Sequence, residues 1–355
     1  MIPIYKPYMP DIDIADLNKT LHSGKLSFGV NGEKFEYLLK LFIGCKNLLS
    51  VNTYNTALQI VLEVIGLEQG DEIIASPVSC LASNQPFAVK GLKIIWADIN
   101  PETGTICPND VESKITPKTK AIFHNHFCGY LGDIESINSI GKKHGIIVVD
   151  DGIEAFGSEY KGNKLGNLGS DITVFSFQTV RLPNTIDGGC IVFSKKAHFE
   201  KAKLVRDYGI DRAKFRTVDG EINPNYDINQ PGFGGLMSEF NSFLGVKQMP
   251  DIENLIQIQR QNAKVWSEEI SVYDNFKSLL INENVNPNFW IYGILSDNKK
   301  ETILKFKEKG YYATGVHLNN NIYSVFNNKT QLLGVDKFIK QFIAVPCGWW
   351  LNKNL

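Results

Sequence analysis

The sequence has no long hydrophobic run and no excess of charge of either sign. Its 355 residues include 37 Lys and Arg against 38 Asp and Glu, a net charge of −1, which gives no bulk attraction to nucleic acid or to an acidic membrane surface. Prolines and charged residues interrupt the first 17 positions, and no later run is long enough to span a bilayer. We therefore expect a cytoplasmic protein that binds neither nucleic acid nor membrane.

Paired cysteine motifs are also missing. The six cysteines are scattered without CxxC spacing, which favours reduced thiols over a disulfide framework: Cys45, Cys80, Cys107, Cys128, Cys190 and Cys347. His124 and His126 flank Asn125 on an apparent strand, a pattern more typical of one core and one surface histidine than of a ligand pair. We therefore expect no metal site.

The order of hydrophobic patterns predicts the fold class. Hydrophobic residues make up 43% of the chain, enough for one large and one smaller domain. From about residue 52 to 193, helical patterns alternate with short β-branched runs, which is typical of a largely parallel sheet covered by helices. Strands are expected at 72–75, 92–96, 121–123, 146–149, 172–175 and 190–193, and helices at about 56–65 and 134–144.

The rest of the chain suggests a second, smaller unit. The polar stretch 212–231 predicts a loop or short hairpin, followed by a helical stretch from about 238 to 263. Two strand-like runs and one helix, 300–309, follow after residue 266. We predict an α/β protein with a large domain at 1–245 and a small α/β C-terminal domain at 246–355.

One segment carries the most specific signal. Residues 175–181 read Phe-Ser-Phe-Gln-Thr-Val-Arg and are followed by Asp187-Gly188-Gly189. This resembles the signature Ser-Phe-His-x-x-Lys, then Gly-Glu-Gly-Gly, of the DegT/StrS family of sugar aminotransferases, which use pyridoxal phosphate (PLP). Matches in the family's order extend over nearly the whole chain, at Ser23-Gly24, Gly70-Asp71-Glu72, His126, Gly129, Tyr160-Lys161-Gly162 and Pro346.

The resemblance implies a fold, an assembly and a substrate class. The fold would be the type I PLP-enzyme fold, with a mainly parallel mixed sheet between helices. The assembly would be a homodimer whose active sites are built from both subunits. The substrates would be nucleotide-linked keto-sugars used in cell-surface polysaccharide or antibiotic sugar synthesis.

Arg181 stands where this resemblance places the lysine that forms a Schiff base with PLP. An amine can be tuned to lose its proton and attack an aldehyde. A guanidinium stays protonated and is a poor nucleophile. The sequence therefore predicts that position 181 forms no Schiff base and that conventional transamination is absent.

Other positions that the family uses for PLP also differ here. Asp151 matches the partner of the pyridine nitrogen and Ser176 a phosphate ligand, whereas Glu154 replaces a Gln that bonds the phenolic oxygen. The remaining departures are Cys80 for the stacking aromatic, Tyr54-Asn55 beside Thr56 for the phosphate-binding Gly-Thr, Gln178 for His, and Gly234 and Leu236 for the Asn and Arg of the partner-subunit segment. We expect no cofactor, or PLP or pyridoxamine phosphate (PMP) held only non-covalently. Arg181 is expected to bridge Asp151 and Glu154.

The sequence is compatible with three functions. The first is a protein that binds or acts on a nucleotide-linked sugar without a PLP Schiff base, with Arg181 holding an anion and His126, Asp151 or Glu154 as acid or base. The second is an aminotransferase or dehydratase using a non-covalent cofactor. The third is a non-catalytic partner that completes the site of a lysine-bearing paralogue.

Overall fold

A seven-stranded sheet forms the centre of the protein in the computed structural model, which describes residues 1–273 and 275–351. The strands of the chain are β1 (Asn47–Val51), β2 (Glu72–Ala75), β3 (Lys93–Trp96), β4 (Thr119–Asn125), β5 (Ile147–Asp151), β6 (Glu159–Tyr160), β7 (Asn163–Lys164), β8 (Ile172–Ser176), β9 (Gly189–Phe193), β10 (Phe276–Ser278), β11 (Val285–Asn286), β12 (Tyr292–Ser296) and β13 (Phe342–Val345). The central sheet has the order β1-β9-β8-β5-β4-β2-β3, and β9 runs in the opposite direction to the other six strands of this sheet. The predicted α/β class with a mainly parallel mixed sheet is confirmed.

Helices cover both faces of this sheet. They are α1 (Ile14–Leu21), α2 (Val30–Ile43), α3 (Tyr54–Val64), α4 (Leu81–Val89), α5 (Pro108–Ser113), α6 (Ile134–His144), α7 (Lys196–Val205), α8 (Glu239–Gln248), α9 (Ile252–Ser271), α10 (Lys299–Glu308) and α11 (Leu333–Gln341). Among the helices of the described residues, none is long and apolar enough to cross a lipid bilayer.

Local chemistry explains where these helices begin and end. Helix α6 has the predicted bounds because the Asp133 carboxylate accepts the Ser136 N–H at 3.0 Å and Gly145 ends the helix with a φ of +66°. The helical stretch predicted at about 238–263 consists of α8, a short 3₁₀ turn at Met249–Asp251, and α9. Pro250 separates the two helices because it has no N–H to continue the hydrogen-bond ladder.

A second sheet lies in the C-terminal part of the chain. Strands β10, β12 and β13 pair antiparallel in the order β10-β12-β13, so this region holds more strands and one more helix, α11, than predicted. The predicted boundary between residues 245 and 246 falls inside α8 and stays a prediction. The polar stretch 212–231 contains a bridge between Arg216 and Ile222, the predicted short hairpin.

The first turn of α2 depends on a carboxylate from α8. Glu239 is 6% exposed, and its Oε1 and Oε2 accept the N–H groups of Gly32 and Asn31, each at 3.0 Å. Because an anion at a helix N-terminus is favourable, Glu239→Ala is expected to lower the free energy of unfolding by about 2 kcal/mol. Chemical denaturation measures this loss, and Glu239→Gln, which keeps one acceptor oxygen, should lose less. Equal losses in the two variants would contradict this reading.

Candidate active site

The candidate site lies at the carboxyl ends of three parallel strands. Asn125 ends β4, Asp151 ends β5 and Ser176 ends β8, and these strands are neighbours in the sheet. Open α/β sheets bind ligands at this edge. Asn125, Asp151 and Ser176 are all at most 2% exposed.

Asp151 is held by the protein's own donors. Its Oδ1 accepts the Tyr54 hydroxyl at 2.6 Å and the Ile153 N–H at 3.1 Å, and its Oδ2 accepts the Asn125 amide at 2.6 Å. Burial raises the pKa of Asp151, against the lowering effect of the hydrogen bonds from Tyr54, Ser83 and Asn125. The prediction that Arg181 bridges Asp151 and Glu154 is therefore wrong for Asp151, because the Tyr54 hydroxyl and the Asn125 amide reach it instead.

Arg181 pairs with Glu154 in a buried position. Its Nη1 lies 3.6 Å from Glu154 Oε1, and the two side chains are 5% and 1% exposed. The guanidinium carbon lies 4.3 Å from the ring centroid of Trp290, a cation–π contact. Trp290 is fixed in turn, because its indole donates to the Val180 carbonyl at 2.8 Å and its ring stacks on Tyr5.

His317 is a site residue that the sequence analysis missed. Its Nε2 lies 2.9 Å from Glu154 Oε1, the same oxygen that faces Arg181. The Glu154 Oε2 accepts the Cys128 N–H at 2.8 Å, so both carboxylate oxygens are engaged. Trp290 and His317 are more than 100 residues from Arg181 along the chain, and no spacing in the sequence connects them to it.

The environment of Glu154 keeps it ionised. Burial alone would raise the pKa of Glu154, but His317, Arg181 and the Cys128 N–H together hold it below its ordinary value. A fixed negative charge therefore lies between a guanidinium and an imidazole. The site combines a buried guanidinium with a carboxylate–histidine pair.

Four further residues predicted for the site are Cys80, Asn55, Thr56 and Gln178. Cys80 precedes α4, and burial together with the charge of Glu154 raises the pKa of its thiol, so it is not a thiolate nucleophile. At the start of α3, Asn55 is exposed, while the Thr56 N–H donates to the Thr53 hydroxyl at 2.9 Å. Gln178 is half-buried, and its carbonyl accepts the Arg181 N–H at 2.8 Å.

His126 belongs to a separate cluster. Asp150 precedes Asp151 on β5, so its side chain points to the other face of the sheet, where Oδ1 lies 3.4 Å from both His124 Nδ1 and His126 Nε2. All three residues are at most 1% exposed. The expectation of one core and one surface histidine is wrong, because the buried Asp150 carboxylate engages both rings.

The spacing of this cluster allows a metal ion, but its hydrogen bonding does not favour one. The candidate ligand atoms of His124, His126 and Asp150 lie within 4.8 Å of one another. However, the Gly132 N–H donates to His126 Nδ1 at 3.2 Å, which leaves the ring proton on Nε2, the nitrogen that faces Asp150. A metal-bound histidine has the reverse arrangement, since its second nitrogen donates a proton to a partner.

The fold and the site define the class of protein that this chain resembles. The chain superimposes on the sugar aminotransferase CalS13 from Micromonospora echinospora with a TM-score of 0.93 and 26% identity. The superposition covers 99% of this chain and 96% of CalS13. The chain also superimposes on PseC of Helicobacter pylori, an aminotransferase of pseudoaminic acid biosynthesis, with a TM-score of 0.88 and 26% identity over 99% of this chain and 95% of that one.

Sequence comparison places the chain in a family. Residues 8–353 match the DegT/DnrJ/EryC1/StrS aminotransferase family, and the chain belongs to it. It is also 26% identical over 322 residues to the spore coat polysaccharide biosynthesis protein SpsC of Bacillus subtilis. This alignment covers 89% of this chain and 82% of SpsC. The resemblance noted in the sequence is thus confirmed.

Family membership corrects the prediction about cofactors. The expectation that the protein has no cofactor is wrong, because the family and the superimposed sugar aminotransferases are PLP-dependent enzymes. PLP is the cofactor that membership implies, and it would supply an electron sink for reactions at the carbon bearing the amino group.

The side chains of this chain do not fit PLP held as the resemblance describes. Asp151 already accepts three protein donors, and the Tyr54 hydroxyl takes the carboxylate that a pyridine nitrogen would need. Cys80 offers no ring to stack on a pyridine, and Glu154 presents a carboxylate where an amide would donate. We therefore assign no step to PLP in this protein.

The ionisation of Glu154 predicts a specific pH dependence. A carboxylate whose pKa is lowered by folding stabilises the protein above its unfolded pKa, and this contribution is lost as the pH falls through the folded pKa. As the pH falls below about 5, the wild type should therefore lose unfolding free energy more steeply than Glu154→Gln. Denaturation curves at a series of pH values measure this, and parallel profiles would show that folding does not lower the pKa of Glu154.

Proposed function

We propose that the protein binds a nucleotide-linked keto-sugar beside Arg181 and does not carry out lysine-dependent transamination. The observation that carries this proposal is Arg181 itself, a buried cation whose Nε and Nη1 have no hydrogen-bond partner among the described residues. Buried donors without partners are costly. A sugar oxygen or a phosphate oxygen would satisfy them, and family membership supports a sugar of nucleotide-linked metabolism.

The shape of the site indicates the side from which such a ligand enters. Behind Arg181 and Glu154, a cavity lined also by Phe156 and Ile256 has a volume of about 10 Å³, room for about one water. The His317 side chain, which contacts Glu154, is 18% exposed. We propose that a sugar reaches Arg181 past His317.

The experiment compares binding with amino transfer. The purified protein is titrated calorimetrically with a thymidine diphosphate-linked 4-keto-6-deoxyhexose, then incubated with that sugar, glutamate and PLP. We expect binding without formation of an aminated sugar nucleotide, because a guanidinium at position 181 cannot form the Schiff base. Catalytic amination by the protein alone would contradict the proposal and favour the cofactor-dependent alternative. Amination only after adding a lysine-bearing paralogue would favour the partner-subunit alternative.

We also propose the assembly that the family resemblance implies, a cytoplasmic homodimer. Helix α2 supports it, because Val30, Tyr37 and Leu41 are 77%, 60% and 62% exposed on one side of the helix, and exposed apolar patches mark interaction surfaces. Analytical ultracentrifugation should give a dimer mass. A monomer at micromolar concentration would contradict this assembly.

A further inference from the structure

His317 is presented to the site by an unusual turn. The preceding residue, Val316, has a φ of +58°, a left-handed conformation that β-branched residues rarely adopt. The His317 N–H donates to the Gly315 carbonyl at 2.7 Å, and Thr314 pairs with Ala344 at the edge of the second sheet. Strained backbone of this kind persists where the surrounding structure imposes it, commonly at functional sites.

Glu154 determines which nitrogen of His317 carries the proton. An ionised carboxylate only accepts hydrogen bonds, so the imidazole nitrogen at 2.9 Å from it, Nε2, must be the donor. In the neutral ring, Nδ1 then keeps its lone pair and can accept a proton. The carboxylate also stabilises the imidazolium that such a transfer creates.

Arg181 supplies the complementary electrophile. Its Nη1 faces the same Glu154 oxygen as His317 Nε2, so the guanidinium and the imidazole are neighbours on one carboxylate. Trp290 holds the guanidinium in place. A fixed cation beside a base is the arrangement that removal of a proton next to a carbonyl requires, because negative charge develops on the carbonyl oxygen.

We propose that His317 is a catalytic base that removes the proton from the carbon next to the keto group of the bound sugar. This inference rests on the proposed function. The proton moves to His317 Nδ1, the C–H electron pair forms a carbon–carbon double bond, and the carbonyl π electrons move to the oxygen, which Arg181 holds as an enolate. Return of the proton from His317 to the same face restores the sugar, so no co-reactant is consumed, and exchange of that proton with solvent before its return replaces the carbon-bound hydrogen.

The experiment follows exchange of carbon-bound hydrogen. The protein is incubated in D₂O with the thymidine diphosphate-linked 4-keto-6-deoxyhexose, and deuterium at the carbons beside the keto group is measured by NMR against a protein-free sample. We expect exchange with the wild type, a loss of about 100-fold or more in His317→Ala, and partial rescue of that variant by added imidazole. His22→Ala, which changes an exposed histidine outside the site, should exchange at the wild-type rate.

Calorimetric titration of each variant with the same sugar separates the outcomes. Binding without exchange above the protein-free rate, or equal exchange in wild type and His317→Ala, would overturn the role of His317 while leaving the proposed function intact. Absence of binding to the wild type would overturn the proposed function and, with it, this inference. Rescue by imidazole would show that the missing imidazole, rather than a misfolded variant, limits the rate.

Discussion

Replacing Glu154 with leucine is expected to lower the free energy of unfolding by roughly 3 to 5 kcal/mol. The change leaves Arg181 buried without its counter-charge and removes the acceptor of the Cys128 N–H and the partner of His317. Breaking a buried ion pair by removing one partner is costly because the other charge stays desolvated. Denaturation with urea or guanidinium chloride measures the loss.

Two variants control this prediction. Glu200→Leu removes a carboxylate that is 47% exposed and pairs with Lys203, and should cost at most about 0.5 kcal/mol. The double variant Glu154→Leu/Arg181→Met removes both charges and should be more stable than Glu154→Leu alone. A Glu154→Leu protein as stable as Glu200→Leu would show that Arg181 does not depend on Glu154.

Trp290→Ala, made as a single change in the wild type, is expected to lower the free energy of unfolding by roughly 3 to 5 kcal/mol. Trp290 is 8% exposed, stacks on Tyr5 with ring centroids 4.5 Å apart, and covers the Arg181 guanidinium at 4.3 Å. Its removal leaves a cavity on one side of the buried cation. The same denaturation experiment measures the effect.

Trp290→Phe is the matched control for that change. Phenylalanine keeps an aromatic face for Arg181 and Tyr5 but loses the indole N–H that donates to the Val180 carbonyl. Trp290→Phe should therefore lower the free energy of unfolding by about 1 to 2 kcal/mol. If Trp290→Ala cost no more than Trp290→Phe, the aromatic face would contribute nothing to the pocket.

Local chemistry determined how well each element could be predicted from the sequence. Strand β2 and helix α6 have their predicted bounds, because short-range signals such as Asp133 and Gly145 specify them. Strand β1 was missed, since its five residues are recognisable as a strand only through pairing with β9, about 140 residues later. Pro250 marks in the sequence the point at which the helical stretch predicted at about 238–263 divides into α8 and α9.

The candidate site was predictable in its strand-borne part. Asp151, Glu154 and Arg181 follow neighbouring strands, and the pairing of Arg181 with Glu154 was expected. The contact from Tyr54 to Asp151 depends on where a long side chain points across the end of the sheet, which no local pattern encodes. His317 was not predictable, because the segment that carries it reaches Glu154 only through packing of the C-terminal region.

Calorimetric titration of Arg181→Gln shows whether Arg181 holds a nucleotide-linked keto-sugar. The substitution keeps a polar side chain but removes the charge, and a hydrogen bond to a charged group is worth about 1.5 to 3 kcal/mol. If Arg181 holds the sugar, the thymidine diphosphate-linked 4-keto-6-deoxyhexose should bind Arg181→Gln roughly 10- to 150-fold more weakly than the wild type. Arg216→Gln, which changes an exposed arginine in the 212–231 hairpin, should bind as the wild type does. Equal affinities for the wild type and Arg181→Gln would show that Arg181 does not hold the sugar.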